Sequence, residues 1–371
     1  MILFKATRDA ILKPLQTVAG IVERRHTLPI LANVLMRKEG DTVRFLATDV
    51  DIQIETAAQL GSGDADLATT VSARKLVDIL RALPEDNDAP VTLNLANGRA
   101  QLSAGKSRFT LQTLDAADFP TVVPATDPSA AFVLPQKVLR HLFQMVHFAM
   151  AQQDIRFYLN GLLLVTQDST VRVVATDGHR LATCETQLEN SELPSHEVIV
   201  PRKSVLELQR LLADVDEPVE IALTNNQARF RFGAVDMITK LVEGKFPDYQ
   251  RVMPNGYKNQ LEIERTVLSA ALARASILTS EKFKGIRLSL SDEGLGIQIT
   301  NADQEEASEE IAANYYGEPI EVGFNVGYLQ DVLANLKSDK VLIAFGDANS
   351  SALLTSEDEP GFRYVVMPMR I

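Results

Sequence analysis

Apolar residues recur at three-and-four spacing over Ala10, Ile11, Leu12, Leu15 and Val18, and again over Val138, Leu139, Leu142, Phe143 and Val146. Each pattern predicts an amphipathic helix. Pro14 falls inside the first, so either the helix is bent there by a missing hydrogen bond or it starts at Pro14. Between these helices the period changes to two. Thr42-Val-Arg-Phe-Leu-Ala and Val91-Thr-Leu-Asn-Leu-Ala read as strands, and Asn97-Gly98 reads as a hairpin turn before Ala100-Gln-Leu-Ser. Helical spacing returns from Arg74 to Leu83 and is closed by Pro84. Two helices and several strands per segment predict an α+β fold, helices lying on one face of antiparallel sheets.

The pattern repeats along the chain. Thr42-Val-Arg-Phe-Leu-Ala-Thr-Asp49 returns 128 residues later as Thr170-Val-Arg-Val-Val-Ala-Thr-Asp177, with six of eight positions identical. Ala73-Arg-Lys-Leu-Val-Asp-Ile-Leu-Arg-Ala-Leu83 returns at the same offset as Pro201-Arg-Lys-Ser-Val-Leu-Glu-Leu-Gln-Arg-Leu211. A weaker third copy, Tyr328-Leu-Gln-Asp-Val-Leu-Ala-Asn-Leu336, lies over Lys75 to Leu83 at about twice that distance, and Leu114 to Pro120 matches Leu241 to Pro247. The closing Tyr364 to Met369 falls where a third strand is due. Three equivalent domains of roughly 120 residues are expected, a normal domain size. Their expected limits are 1–123, 124–254 and 255–371.

Composition narrows the function. The 371 residues are 46% hydrophobic, enough for several cores, and the first eight carry charges with no long apolar run near them, so a cytoplasmic protein without signal peptide or membrane span is expected. A single cysteine, Cys184, and five scattered histidines support neither disulfide nor structural zinc, and no cofactor is implied. Asp177, His179 and Cys184 lie close enough to suggest a thiol nucleophile with a base. Yet the repeat-equivalent Asp49 has no such histidine, and neither a phosphate-binding glycine loop nor a second catalytic constellation accompanies them. An enzyme is therefore not expected.

The net charge of −12 argues against nucleic acid unless the cations are sorted onto one face. They recur in register: Arg74 and Arg81 lie two helical turns apart with Asp78 between them, and Lys203 and Arg210 repeat the arrangement. Side by side, such faces would form a strip that neutralises phosphates without reading bases. A single helix of this kind could equally be a solvated surface. In the third repeat Tyr328 and Asn335 replace the cations and only Lys337 follows. Gln152 to Gly161 joins Arg156 to the adjacent aromatics Phe157 and Tyr158, which suits a nucleic-acid backbone or an ordinary strand entry.

Six segments together resemble the beta sliding clamps of bacterial DNA polymerase III: Thr27-Leu-Pro-Ile-Leu31, Gln153 to Gly161, Ala175-Thr-Asp-Gly-His-Arg-Leu181, Val200-Pro-Arg-Lys203, Lys245-Phe-Pro-Asp-Tyr249 and Val365-Val-Met-Pro-Met-Arg370. The resemblance runs from the first helix to the last residue. It implies a non-catalytic, ring-shaped, head-to-tail homodimer of three-domain subunits that encircles double-stranded DNA and confers processivity on the replicative polymerase. The DNA contacts it implies are Arg25, Arg74, Gln153, Phe157, Tyr158, Arg202 and Lys203. Position 157 departs from the best-known members, which have tyrosine there. The resemblance also implies a pocket for short linear motifs of the polymerase alpha subunit, the clamp loader, other polymerases and repair proteins. Its residues here are Leu159, Thr176, Gly178, His179, Arg180, Leu181, Pro247, Arg251, Val252, Ser351, Val365, Val366, Met367, Pro368, Met369 and Arg370. Such a Met-, Pro- and Val-lined groove with arginines at its rim adapts to differing apolar side chains. For the subunit interface the sequence offers Lys106, Arg108, Phe109 and Leu111 at one end, and Ile277, Leu278 and the acidic Glu305, Glu306 and Glu309 at the other. Read alone, the acidic run could be a solvated surface and the closing VVMPMR a buried last strand.

Overall fold

The computed structural model describes residues 1–23, 28–61, 65–84, 90–188, 192–280 and 283–370. The first repeat runs β1 (Ile2–Ala6), α1 (Arg8–Ala19), β2 (Asn33–Glu39), β3 (Thr42–Thr48), β4 (Ile52–Gln59), β5 (Leu67–Ser72), α2 (Ala73–Ala82), β6 (Val91–Ala96), β7 (Arg99–Ala104) and β8 (Ser107–Leu114). The second runs β9 (Ala130–Pro135), α3 (Gln136–Val146), β10 (Gly161–Asp168), β11 (Thr170–Thr176), β12 (Arg180–Gln187), β13 (Leu193–Pro201), α4 (Arg202–Leu211), β14 (Pro218–Leu223), β15 (Gln227–Phe232) and β16 (Val235–Lys240). The third runs β17 (Asn259–Glu264), α5 (Arg265–Ala275), β18 (Gly285–Ser291), β19 (Gly294–Thr300), β20 (Glu306–Ile311), the extra strand β21 (Asn314–Tyr316), β22 (Ile320–Asn325), α6 (Val326–Asn335), β23 (Lys340–Phe345), β24 (Ala352–Thr355) and β25 (Arg363–Val366). The predicted α+β repeat of two helices and antiparallel strands is thus present three times.

Each repeat builds two four-stranded sheets in the same order. One is β5-β2-β3-β4, β13-β10-β11-β12 or β22-β18-β19-β20; the other is β1-β6-β7-β8, β9-β14-β15-β16 or β17-β23-β24-β25. Sheets then join across repeats. β16 pairs antiparallel with β4, setting Asp236 opposite Glu55 and Met237 opposite Ile54, and β25 pairs with β12, setting Val365 opposite Leu181. Because the sheets continue through the repeat boundaries, the chain clusters into two compact units that do not follow them. One comprises Met1–Leu139 and Arg210–Leu241, the other Arg140–Gln209 and Val242–Ile371.

The helices follow the hydrophobic spacing. In α2, Ala73, Leu76, Val77 and Leu80 are buried while Arg74, Lys75, Asp78 and Arg81 face solvent, and the helix stops just before Pro84. In α1 the helix begins at Arg8 and continues through a buried Pro14, so it does not start at the proline, although that ring leaves the Ala10 carbonyl without its usual donor. Asn97 and Gly98 both take positive φ (52° and 71°), as a two-residue hairpin joining β6 and β7 requires. The cores are apolar. Phe4, Phe45, Phe143, Phe230 and Phe324 are buried, and Tyr364 is fully buried with its hydroxyl donating to the Tyr328 carbonyl at 2.9 Å.

Candidate docking groove and DNA-facing residues

The turn between β11 and β12 is built by side chains that bond their own backbone. Thr176 Oγ1 donates to the Arg180 carbonyl at 2.6 Å, and Asp177 Oδ1 accepts from the N–H groups of His179 (2.9 Å) and Arg180 (3.1 Å). Gly178 between them sits at φ +90°, and a Cβ there would lie 2.8 Å from Arg156 Nη1. Glycine takes this backbone without strain and leaves the guanidinium room to pack on it.

The segment preceding β10 meets this turn. Asp154 accepts from Arg156 Nε (3.0 Å), Nη2 (2.8 Å) and the backbone N–H (2.8 Å), while Arg156 Nη2 also donates to the Asp177 carbonyl at 3.1 Å. The hydrogen bonds from Arg156 hold the Asp154 carboxyl down at about 2. Asn160 closes the loop from its far end, donating to the Asp154 carbonyl at 2.8 Å and accepting from its N–H at 3.0 Å. Gln153, Ile155 and Phe157 point to solvent, whereas Tyr158 and Leu159 turn inward, Leu159 into the core.

Together these elements line a cavity of about 230 Å³. Its floor is Leu159, Leu181 and Val365, which belong to one buried cluster with Leu163 and Val174. Of the residues expected there, Thr176, Gly178, His179, Arg180, Pro247, Val252, Ser351 and Met367 also line it. Five do not: Val366 is buried in β25, and Arg251, Pro368, Met369 and Arg370 lie outside the lining, Arg251 paired with Asp248 at 2.8 Å. Four lining residues were not assigned to it by sequence: Arg156, Tyr158, Asp248 and Tyr249. The signal was there, since all four stand within the two resemblance segments Gln153 to Gly161 and Lys245 to Tyr249. Tyr249 is fixed by Arg172, whose Nη1 donates to its hydroxyl at 3.1 Å. Met367 N–H donates to the His179 carbonyl at 2.9 Å, which ties the last strand to the turn.

Arg180, expected at the rim, is instead an interior strut with only 9% of its side chain exposed. It donates to Asp177 Oδ2 (3.0 Å), Asp331 Oδ2 (2.6 Å) and the Phe148 carbonyl (2.6 Å), and lies 4.4 Å over the Tyr328 ring. Tyr328 and Asp331 come from α6, the repeat helix on which the sequence shows no cations in register.

Among the residues expected to meet DNA, Arg25 lies outside the described residues. Arg74 is exposed on α2, 3.7 Å from Asp78. Gln153 and Phe157 are exposed, Gln153 at φ +55°. Tyr158 is a groove wall. Arg202 and Lys203, half-buried, open α4. Arg210 at the other end of α4 donates to the carbonyls of Gln16 (3.3 Å) and Thr17 (2.7 Å), near the end of α1.

The expected interface residues fall on β8 and the turn before it, on β20 and the residue before it, and on the short 3-10 helix Ser276–Leu278. Lys106 and Arg108 are exposed, Lys106 in the turn before β8, and Phe109 and Leu111 are half-buried. On the other side Ile277 is 78% exposed, Leu278 half-buried, and Glu305 and Glu306 exposed. Glu309 is paired with Arg274 through two 2.5 Å hydrogen bonds.

The rival thiol site does not form. Cys184 is buried in β12 and burial pushes its thiol up to about 12, while Asp177 is taken up by the turn and by Arg180.

Comparison with known proteins then decides the family. The chain matches the family models for the DNA polymerase III beta subunit throughout: N-terminal domain over residues 2–123, central domain over 133–248 and C-terminal domain over 250–370. This chain belongs to the DNA polymerase III beta subunit family. The beta sliding clamp of Pseudomonas putida is 46% identical over 99% of this chain and 100% of its own length, and that of Escherichia coli 43% over the same shares. The solved beta clamp of Pseudomonas aeruginosa bound to griselimycin superposes with a TM-score of 0.94 at 46% identity, covering 99% of both chains. Caulobacter crescentus pol III beta gives 0.92 at 35% identity, covering 100% of both. As a beta clamp the chain is a sliding clamp for DNA polymerase III, a processivity subunit with no chemistry of its own.

Proposed function

We propose that two copies of this chain close head to tail into a ring around duplex DNA, and that the groove tethers polymerases by short linear motifs. The observation that carries the reading is a pair of strands without mates. By the repeat, β8, β16 and β25 are equivalent, as are β4, β12 and β20. β16 is paired to β4 and β25 to β12. Among the described residues, β20 has a neighbour on one side only, and β8 meets β5 only through Thr113 and Leu114. A contact of β8 with β20 of a second copy is heterologous, and it closes after two copies if each repeat contributes a sixth of a turn. Arg108 and Lys106 then meet the acidic strand carrying Glu306 and Glu309, around the apolar Phe109, Leu111, Ile277 and Leu278.

Repeat boundaries at 123/124 and 254/255 fit this arrangement. Arg74, Gln153, Phe157 and Lys203 serve as DNA-facing groups, contacting phosphate and sugar without reading sequence, together with Arg25. An acidic exterior with cations sorted inward reconciles the net charge of −12 with DNA binding. The apolar floor of Leu159, Leu181 and Val365 suits the apolar residues of motifs from the polymerase alpha subunit, the clamp loader, other polymerases and repair proteins. The ring works in the cytoplasm, and no helix among the described residues is long and apolar enough to cross a membrane.

The test is retention on circular DNA, loaded with clamp loader and ATP, before and after the circle is cut. Retention on the circle with loss from free ends is expected. Equal retention on both would mean ordinary binding and would end the ring reading.

A further inference from the structure

Beside the groove lies a second depression of about 550 Å³, which shares Arg156, His179 and Arg180 with it and reaches Arg202. Three guanidinium groups and three carboxylates line the depression. Arg156 takes Asp154 at 2.8 Å, and Arg180 takes both Asp177 (3.0 Å) and Asp331 (2.6 Å). Arg202 is left over. Its Nη1 reaches only the Met150 and His147 carbonyls, at 3.4 and 3.5 Å, the outer limit for a hydrogen bond, and no carboxylate among the described residues pairs with it. Burial and the neighbouring Arg180 accordingly lower its pKa. A half-buried guanidinium without a counter-ion, opening on a polar cavity continuous with an apolar groove, is a place for an anion.

We propose that this depression is a carboxylate subsite of the docking groove, in which Arg202 receives the Asp or Glu side chain flanking the apolar residues of a linear motif. The proposal rests on the reading of the groove as a motif site and adds the chemistry that selects among motifs. A carboxylate matches the planar fork of a guanidinium with two parallel hydrogen bonds. A DNA strand matches less well, because its successive phosphates would run against Asp154, Asp177 and Asp331 in the same wall, whereas one carboxylate needs only the one free guanidinium. Arg202 is thereby a specificity-determining residue for partners rather than a DNA contact.

The test uses two fluorescein-labelled peptides with a common Leu-Phe core, one flanked by Glu on both sides and the other by Gln, titrated by anisotropy against the full-length protein and its Arg202→Gln variant. The intact protein is expected to prefer the Glu peptide by about tenfold, and the variant to lose that preference while holding the Gln peptide within about twofold. A preference that survives in the variant, or is absent from the intact protein, overturns the subsite while leaving the groove. Equal loss of both peptides in the variant also overturns it, since Arg202 would then only support the wall. If the variant spares both peptides but weakens binding of a short duplex, Arg202 faces phosphate and the subsite is refuted. Failure of both peptides to bind the intact protein would remove the groove reading, and the subsite with it.

Discussion

Val50 and Gly178 occupy the same place in the same turn, 128 residues apart, at φ +80° and +90°. In both turns a threonine hydroxyl donates to the carbonyl four residues on, Thr48 to Ile52 at 2.8 Å and Thr176 to Arg180 at 2.6 Å, and the next aspartate accepts two backbone N–H groups. The turn therefore dictates the left-handed backbone, and a β-branched residue fills it under strain. Val50→Gly is expected to stabilise the protein by on the order of 1 kcal/mol, the relief of strain exceeding the entropy a glycine adds to the unfolded chain. Urea unfolding checks it, and a midpoint that fails to rise would show that the turn carries no such strain. The reverse change, Gly178→Val, should destabilise, because it puts a β-branched residue at φ +90° and its Cβ would displace the Arg156 guanidinium.

The same turn shows what the chain's pattern made legible. Thr42 to Asp49 and Thr170 to Asp177 announced a repeat because a buried strand and a self-bonding turn constrain nearly every position. The third copy was faint for a physical reason: on α6 Tyr328 stands where Lys75 stands on α2, and it and Asp331, the equivalent of Asp78, are turned onto Arg180. The resemblance placed Tyr158 with Phe157 on DNA, but the short turn over Phe157–Leu159 leaves Phe157 exposed and makes Tyr158 a wall of the groove. Repeat boundaries were less legible in space, because β4 and β16 join as one sheet across them. Arg180 is an arginine in a groove segment, and nothing in its sequence neighbourhood foretold that two carboxylates and two rings would enclose it.

That enclosure predicts a large cost for Arg180→Ala. The substitution leaves Asp177, mostly buried, without its guanidinium and removes the cation from the Tyr328 ring. A loss of about 3 kcal/mol is expected, the usual result of breaking a buried ion pair from one side. Chemical denaturation measures the loss, and peptide affinity for the groove should fall as well because Asp177 shapes its turn. A change under about 1 kcal/mol would place Arg180 among ordinary surface pairs.

The strand equivalence also fixes a register for the proposed contact between copies. β16 sets Asp236 opposite Glu55 on β4. Carried through the repeat, Arg108 takes the place of Asp236 and Ser308 the place of Glu55. Directly opposed residues of antiparallel strands bring their Cα atoms to about 4.5–5.5 Å, within disulfide range. The double variant Arg108→Cys/Ser308→Cys should therefore oxidise to a covalently closed dimer, while Arg108→Cys/Glu310→Cys, two residues out of register, should crosslink poorly. Efficient closure of the second pair and not the first would show that the strands meet in another register.

Acid should test the loop that separates the groove from the solvent-facing Gln153, Ile155 and Phe157. Asp154 is lowered from the ordinary 3.8 to about 2, chiefly by the side-chain hydrogen bonds of Arg156. A carboxyl with a depressed folded pKa favours the folded loop fully above its unfolded pKa, and that contribution disappears as pH falls through the folded value. The loop should therefore keep its shape at pH 5, with the Asp154 carboxyl titrating by NMR near about 2. Arg156→Gln removes the guanidinium hydrogen bonds and the charge but keeps the backbone N–H, so the titration should move part of the way back up toward the ordinary range. The groove wall should then loosen already at neutral pH, seen as weaker peptide binding, because Asp154 keeps only the backbone N–H of residue 156 as a donor. If Asp154 titrated alike in both proteins, the clamp between these two side chains would not be what orders the loop.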